Sequence, residues 1–351
     1  MTKAVLTSPF NTISKHRHSH RAAQAVMYFD QLKTDELNIT LDYGQIDNFD
    51  EFDELYCYHG NDWGGTLNLF GGMENYSNID NVIRYSNFKG QIYSLVIDHP
   101  DYHSMLQKRM DNKKINPKWN NVNWDQLLKN QNESITYYPN DYKRIQSRKL
   151  VVGDSHAICM YRPGWKVNSI PFKTLHGALK IELTNLLTNP IEELDEVELY
   201  FGNIDIRHHL CRHDEDATIS LVRKYFKQAN DIARNERTVR IYEPLPIENE
   251  SRPLPKTGYY KGTPFYGNWE QRNHIRNIFI EECKNQQSRF FNDVKFVQWT
   301  DYLCNSIGEL DFQYMEKPKS VHLSRAAYPH WQGPDFNNVM SSTLEDLFDE
   351  A

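Results

Sequence analysis

"KLVVGDSHAICM", residues 149–160, decides how the second half of this chain folds. Leu150, Val151 and Val152 form a short apolar run that reads as a buried strand. Gly153-Asp154-Ser155 ends it at once. Glycine lets the backbone turn sharply, and the following segment opens with N–H groups directed at whatever Ser155 holds. A strand that hands a serine straight to a tight turn suits a nucleophile, and it equally suits a plain helix cap. The surrounding chain has to separate the two.

Working outward, strand-like and helix-like segments alternate. Residues 172–187, "FKTLHGALKIELTNLL", put Leu175, Leu179, Leu183 and Leu186 on one helical side. "VELYFG" (197–202) is the next strand. Residues 217–233 place Ile219, Val222, Phe226, Ala229 and Ile232 on one helix face. "TVRIYEPLPI" (238–247) is a strand closed by prolines, 273–286 is helical, and "VKFVQW" (294–299) is a strand. This order predicts a mostly parallel sheet with helices on both sides and its chemistry at the carboxyl ends of the strands.

The first hundred residues predict a smaller Rossmann-like α/β unit. "AVLTSPF" (4–10), "FDELYCYHG" (52–60) and "GQIYSLVID" (90–98) read as strands. A helix over 21–33 carries Ala22, Ala25, Val26, Phe29 and Leu32. "GNDWGGTLNLFGGM" (60–73) holds five glycines and reads as a long loop. Residues 101–150 hold ten Lys/Arg against five Asp/Glu and read as a solvated basic connector. At 351 residues two domains are expected: 1–145, with no assigned role, and 146–330, followed by an acidic tail at 331–351.

Three further pieces of chain join Ser155. Gly177 lies early in the helix after the serine turn, where a bare N–H can approach a ligand. "YFGNIDIRHH" sets Asn203 at the end of a buried strand, where its amide can donate to a developing oxyanion. "KSVHLS" supplies His322 as a base for Ser155. Asp154 reads as turn support, and Asp205 and Arg207 as an ion pair beside the site, with Arg207 also a candidate substrate contact.

Together, Ser155 in "GDS", Gly177, Asn203 in "GNID" and His322 in "VHLS" resemble, in order and spacing, the four blocks of the SGNH/GDSL hydrolase family. "FGNIDIRHHL" and "IGELDFQYMEKPKSVHLS" further resemble the third-block and closing segments of one of its subgroups. The resemblance covers about residues 149–325. It implies a flavodoxin-like, three-layer SGNH domain carrying an esterase, deacylase or acyltransferase site. Ser155 would be the nucleophile and His322 the base, with oxyanion donors from the Ser155 and Gly177 backbone and the Asn203 amide. No cofactor and no metal are implied. The subgroup's association with glycan genes points to a carbohydrate ester as substrate, and the aromatic segment 256–269 would suit sugar stacking.

One position departs from the family. Three residues before the histidine the family carries Asp, and this chain carries Lys319. A lysine cannot accept the imidazole N–H, and its charge disfavours an imidazolium. Another acceptor (Glu316 or a backbone carbonyl), a Ser–His dyad, or a fold without catalysis are the open alternatives.

Composition excludes several classes. No run approaches the roughly 20 apolar residues of a membrane span, and "MTKAVLTSPF" has no apolar signal core, so a cytoplasmic protein is expected. Five scattered cysteines without a CxxC pair point to reduced thiols. The net charge of −7 argues against bulk nucleic-acid binding, leaving only the 101–150 segment to touch phosphates. "HRHSH" (16–20) and "HHLCRH" (208–213) contain metal-ligand residue types without metal-site spacing. Two other functions stay open. One is a two-domain nucleotide-sugar glycosyltransferase acting on modified DNA, because "LNLFGGM" with "GQIYSLVIDHP" is similar to the N-terminal domain of phage DNA glucosyltransferases. The other is a non-catalytic binding protein on the hydrolase fold.

Overall fold

The computed structural model of the protein describes residues 2–7, 20–33, 37–42, 46–57, 83–84, 86–94, 120–126, 129, 135–136, 147–170, 173–234, 236–248, 266–289, 293–316 and 321–330, save a few side chains. The chain divides into two units, Met1–Gln146 and Ser147–Ala351.

The first unit carries strands β1 (Thr2–Thr7), β2 (Leu37–Asp42), β3 (Glu54–Cys57), β4 (Gln91–Ser94) and β5 (Ile135–Thr136) in the order β2-β1-β3-β4-β5. All its pairings among the described residues are parallel. Ala4, Val5 and Leu6 of central β1 are fully buried, as a strand covered on both faces requires. β2 alternates buried and exposed residues, as a strand with one covered face does. Helix α1 (His20–Leu32) turns Ala23, Val26, Met27, Tyr28 and Leu32 inward. Of the expected face, Val26 and Leu32 are buried and Phe29 partly so, while the Ala22 and Ala25 side chains lie outside the described residues. At the end of β2 the buried Asp42 carboxylate is 3.0 Å from Arg84. The basic segment, for the most part, and the glycine-rich loop lie outside the described residues.

The second unit holds β6 (Lys149–Gly153), β7 (Lys166–Ser169), β8 (Glu196–Tyr200), β9 (Thr238–Tyr242) and β10 (Val294–Val297), ordered β10-β9-β8-β6-β7 and again all parallel. Numbered within each unit, both sheets have the order 2-1-3-4-5. In such a sheet the chain leaves the first strand one way and later returns past it the other way. The crevice that this reversal opens, at the carboxyl ends of β6 and β8, is where open α/β sheets bind ligands.

The helices are α2 (Leu175–Lys180), α3 (Asn203–His208), α4 (Glu215–Ala233) and α5 (Trp269–Arg289). Leu150, Val152, Val197, Leu199, Val239 and Ile241 share one core with Val222, Phe226 and Ala229 of α4 and Phe279 of α5. The strand period of two sends the alternate residues to the opposite face. There Glu198, fully buried, is held by a bidentate Arg162 at 2.6 and 2.9 Å and by the Tyr242 hydroxyl at 3.0 Å.

The helix expected over 172–187 breaks in two. α2 ends at Lys180, Glu182 takes a positive φ of 67°, and Leu183–Leu186 forms a separate 3-10 turn. The four leucines are nonetheless buried. Among the described residues no helix is long and apolar enough to cross a membrane.

Candidate active site

The serine turn is built by close approach. A Cβ on Gly153 would lie 2.2 Å from the Tyr200 carbonyl oxygen and 2.7 Å from the Ala157 Cβ, so only glycine lets β6 end against β8. The Asp154 N–H donates to that same carbonyl at 3.2 Å. Asp154 then caps a 3-10 turn, Ser155–Met160, its Oδ1 accepting the His156 N–H at 2.9 Å. Residues 156–160 are all buried, and Ser155 is the member of the turn that stays partly exposed.

His322 arrives from the far end of the unit. Met315 and Leu323 form an isolated antiparallel bridge, and the Glu316 N–H donates to the His322 carbonyl at 3.0 Å. This narrow pairing aims the imidazole at the turn. His322 Nε2 lies 3.0 Å from Ser155 Oγ, across 167 residues of sequence. On the other side of the ring, Nδ1 stands 3.7 Å from Glu316 Oε1, an ion-pair distance rather than a hydrogen bond. Glu316 was one of the acceptors expected in place of the family's aspartate. Lys319, in 317–320, lies outside the described residues.

Asn203 follows Gly202, whose φ of +106° gives the left-handed turn that starts α3. The asparagine is fully buried. Its Oδ1 accepts the Leu245 N–H at 2.9 Å, and its Nδ2, beside the Tyr200 hydroxyl, makes no hydrogen bond of good geometry. The amide is thus anchored through its oxygen at the carboxyl end of β8.

Two expectations need correction. The Gly177 N–H donates to Thr174 Oγ1 at 2.9 Å, the N-cap bond of α2, so it is engaged locally instead of standing open for an oxyanion. Asp205 and Arg207 do not pair with each other. Asp205 accepts the Leu175 and His176 N–H groups at 2.6 and 3.1 Å, and burial raises its carboxyl to about 6. Arg207 is 1% exposed. Its Nε donates to Glu248 at 2.7 Å and it also bonds the Pro246 carbonyl at 2.8 Å, so it braces the segment after β9 and offers no face to a substrate.

His156 had no part in the expectation, although it directly follows Ser155. Its Nδ1 lies 2.8 Å from Asp154 Oδ1, and its ring lies 4.7 Å from that of His322, tilted by 31°. Burial lowers its basicity despite the neighbouring carboxylate. Burial also lowers that of His209, helped by Arg212, His213 and His176 around it. Among the described residues no three His, Cys, Asp or Glu side chains come together as a metal would need. His16 and His18 lie outside them.

No protein-family model matches the chain, and no curated protein matches it. Solved structures do align. A Streptococcus pneumonia protein named for platelet activating factor aligns at 19% identity and a TM-score of 0.39, over 59% of this chain and 86% of its own. A Desulfitobacterium hafniense DCB-2 protein named as lipolytic and of the G-D-S-L family aligns at 12% identity and 0.34, over 52% and 93%. A Bacteroides fragilis NCTC 9343 protein named as an acylhydrolase aligns at 14% and 0.34, over 60% and 97%. Likenesses this distant say nothing about chemistry, and the geometry around Ser155 has to speak for itself.

Proposed function

We propose that the second unit is a serine-dependent esterase, deacylase or acyltransferase of SGNH type. The observation that carries this reading is the 3.0 Å contact between Ser155 Oγ and His322 Nε2. A serine hydroxyl on a tight turn at a sheet's switch point, in hydrogen-bond reach of an imidazole, is the pairing acyl transfer needs.

In that chemistry Ser155 Oγ bonds to the acyl carbon while His322 Nε2 takes the hydroxyl proton. The carbonyl electron pair moves onto oxygen, where the Asn203 Nδ2 and the first N–H of the serine turn, which has no partner within the turn, are the available donors. Collapse of the intermediate expels an alkoxide that recovers the proton from His322. Water or an acceptor alcohol then repeats the sequence on the acyl-enzyme. Glu316, at 3.7 Å, supplies negative charge to the imidazolium in place of the family's aspartate. A carbohydrate ester is the substrate class we favour. Tyr266, at the described end of the aromatic segment, is 49% exposed.

The test is covalent labelling of the full chain with a fluorophosphonate, read by intact mass. The expected result is one adduct, lost in Ser155→Ala. A folded chain that takes no label and cleaves no activated ester would overturn the reading.

A further inference from the structure

Beside the Ser155–His322 pair lies a second, buried pair that acyl transfer as described leaves idle. Asp154 is fully buried and His156 is 4% exposed. Asp154 Oδ1 receives both the backbone N–H and the Nδ1 of His156, at 2.9 and 2.8 Å. A carboxylate at Nδ1 fixes a proton there, and burial opposes a second one, which leaves Nε2 bare. That Nε2 is buried without a hydrogen-bond partner, as is Asp154 Oδ2. Two orphaned polar atoms in neighbouring buried groups are an unusual cost for a mere turn support. The ring lies against that of His322, with centroids 4.7 Å apart.

We infer that His156, braced by Asp154, is a positioning residue for His322: its face sets the plane of the base, and its neutral, carboxylate-polarised ring supports the cation that forms when Ser155 loses its proton. The stack holds the imidazole at the serine, and an electron-rich ring face attracts a cation. The carboxylate behind that ring acts in the same direction through space. His322 thus has charge support from two sides, Glu316 at its Nδ1 edge and Asp154 behind its face. Burial, with a smaller contribution from Arg207, opposes protonation of His156. That keeps the platform neutral while the base next to it takes the proton. The inference rests on the proposed acyl chemistry for its purpose, but its physical content is the coupling between Asp154, His156 and His322.

The experiment therefore has two readouts on the full-length chain. The first is the NMR titration of His322 in the parent, Asp154→Asn and His156→Phe, which needs no catalysis. Removing the Asp154 charge should lower the His322 midpoint by about half a pH unit. His156→Phe keeps a stacked ring but loses the bond to Asp154, and should lower it as well. The second is the fluorophosphonate labelling rate against pH. His156→Ala should label at least about tenfold more slowly, with His156→Phe restoring part of the loss. Both near-isosteric variants are checked for folding by thermal melt. A folded Asp154→Asn chain whose His322 midpoint does not move overturns the inference, as does His156→Ala labelling at the parental rate. If the parent takes no label at all, the acyl-transfer reading fails while the titration still decides the coupling.

Discussion

Glu316 and His322 face each other beside a single antiparallel bridge, with the carboxylate 3.7 Å from the imidazole Nδ1. The backbone pairing of residues 314–316 with 322–324 brings them together, and 7% exposure leaves the Glu316 side chain little competing water. In the proposed chemistry the carboxylate beside the imidazole is thus Glu316, six residues before it in the chain.

Glu316→Gln keeps the shape and removes the charge. Labelling of Ser155 should slow about tenfold, equal to about 1.4 kcal/mol of barrier. Stopped-time labelling followed by intact mass would measure it, and an unchanged rate would exclude Glu316 from the site.

Asn203→Ala removes a donor and an acceptor at once. Loss of an oxyanion donor should slow acyl chemistry about 10²–10³-fold. Leaving the buried Leu245 N–H unpaired should cost about 1–3 kcal/mol of stability in a urea titration. The two effects are separable because only the first depends on substrate.

Asp205 sets a pH dependence of stability. Its folded-state value, about 6, lies above the ordinary 3.8. As pH rises through that interval the unfolded chain releases the proton while the folded chain keeps it. Stability therefore falls, by about 3 kcal/mol in all, and the contribution is fully present only below 3.8. In Asp205→Asn the difference between denaturation midpoints at pH 4 and pH 7 should shrink accordingly.

Gly153→Ala forces a Cβ to within 2.2 Å of the Tyr200 carbonyl oxygen. Because both parties are backbone, strands β6 and β8 must part at their carboxyl ends. A loss of more than about 3 kcal/mol is expected, with Ser155 labelling lost alongside it.

Arg207→Met removes the guanidinium whose Nε lies 2.7 Å from the buried Glu248 carboxylate. Breaking this buried pair should cost about 3–5 kcal/mol by chemical denaturation. A variant as stable as the parent would show that Arg207 does not brace the segment after β9.

The parts of the fold that could be read in advance are those where burial dominates composition. β6, β8 and β9 are apolar runs, and α4 shows its buried stripe at helical spacing, with Val222, Phe226, Ala229 and Ile232 fully buried. β7 escaped notice because Lys166 and Asn168 occupy buried positions in it, satisfied by hydrogen bonds to Asn189 and to the Leu186 carbonyl. β2, "LNITLD", was overlooked despite its alternation, and the two-residue β5 offers too little sequence to find. The split after Lys180 was invisible because leucine spacing reports a face and not the hydrogen bonds behind it. At the site, Ser155 and His322 were recognisable by residue type and order. The Asp154–His156 pair was not, since a histidine next to a serine carries no periodicity, and its meaning comes from the ring it lies against. Gly177 and Arg207 were misassigned for a shared reason: the sequence shows a donor but not that the protein already uses it.

Ser155 and His322 are separated by 167 residues, and four of the five described strands of their unit lie wholly between them. During synthesis the hydroxyl is made long before the imidazole that would activate it. A ribosome-bound chain that stops short of residue 322 carries an unaided serine, however well its sheet has formed. In the proposed chemistry, reactivity is thereby withheld until residue 322 has been made.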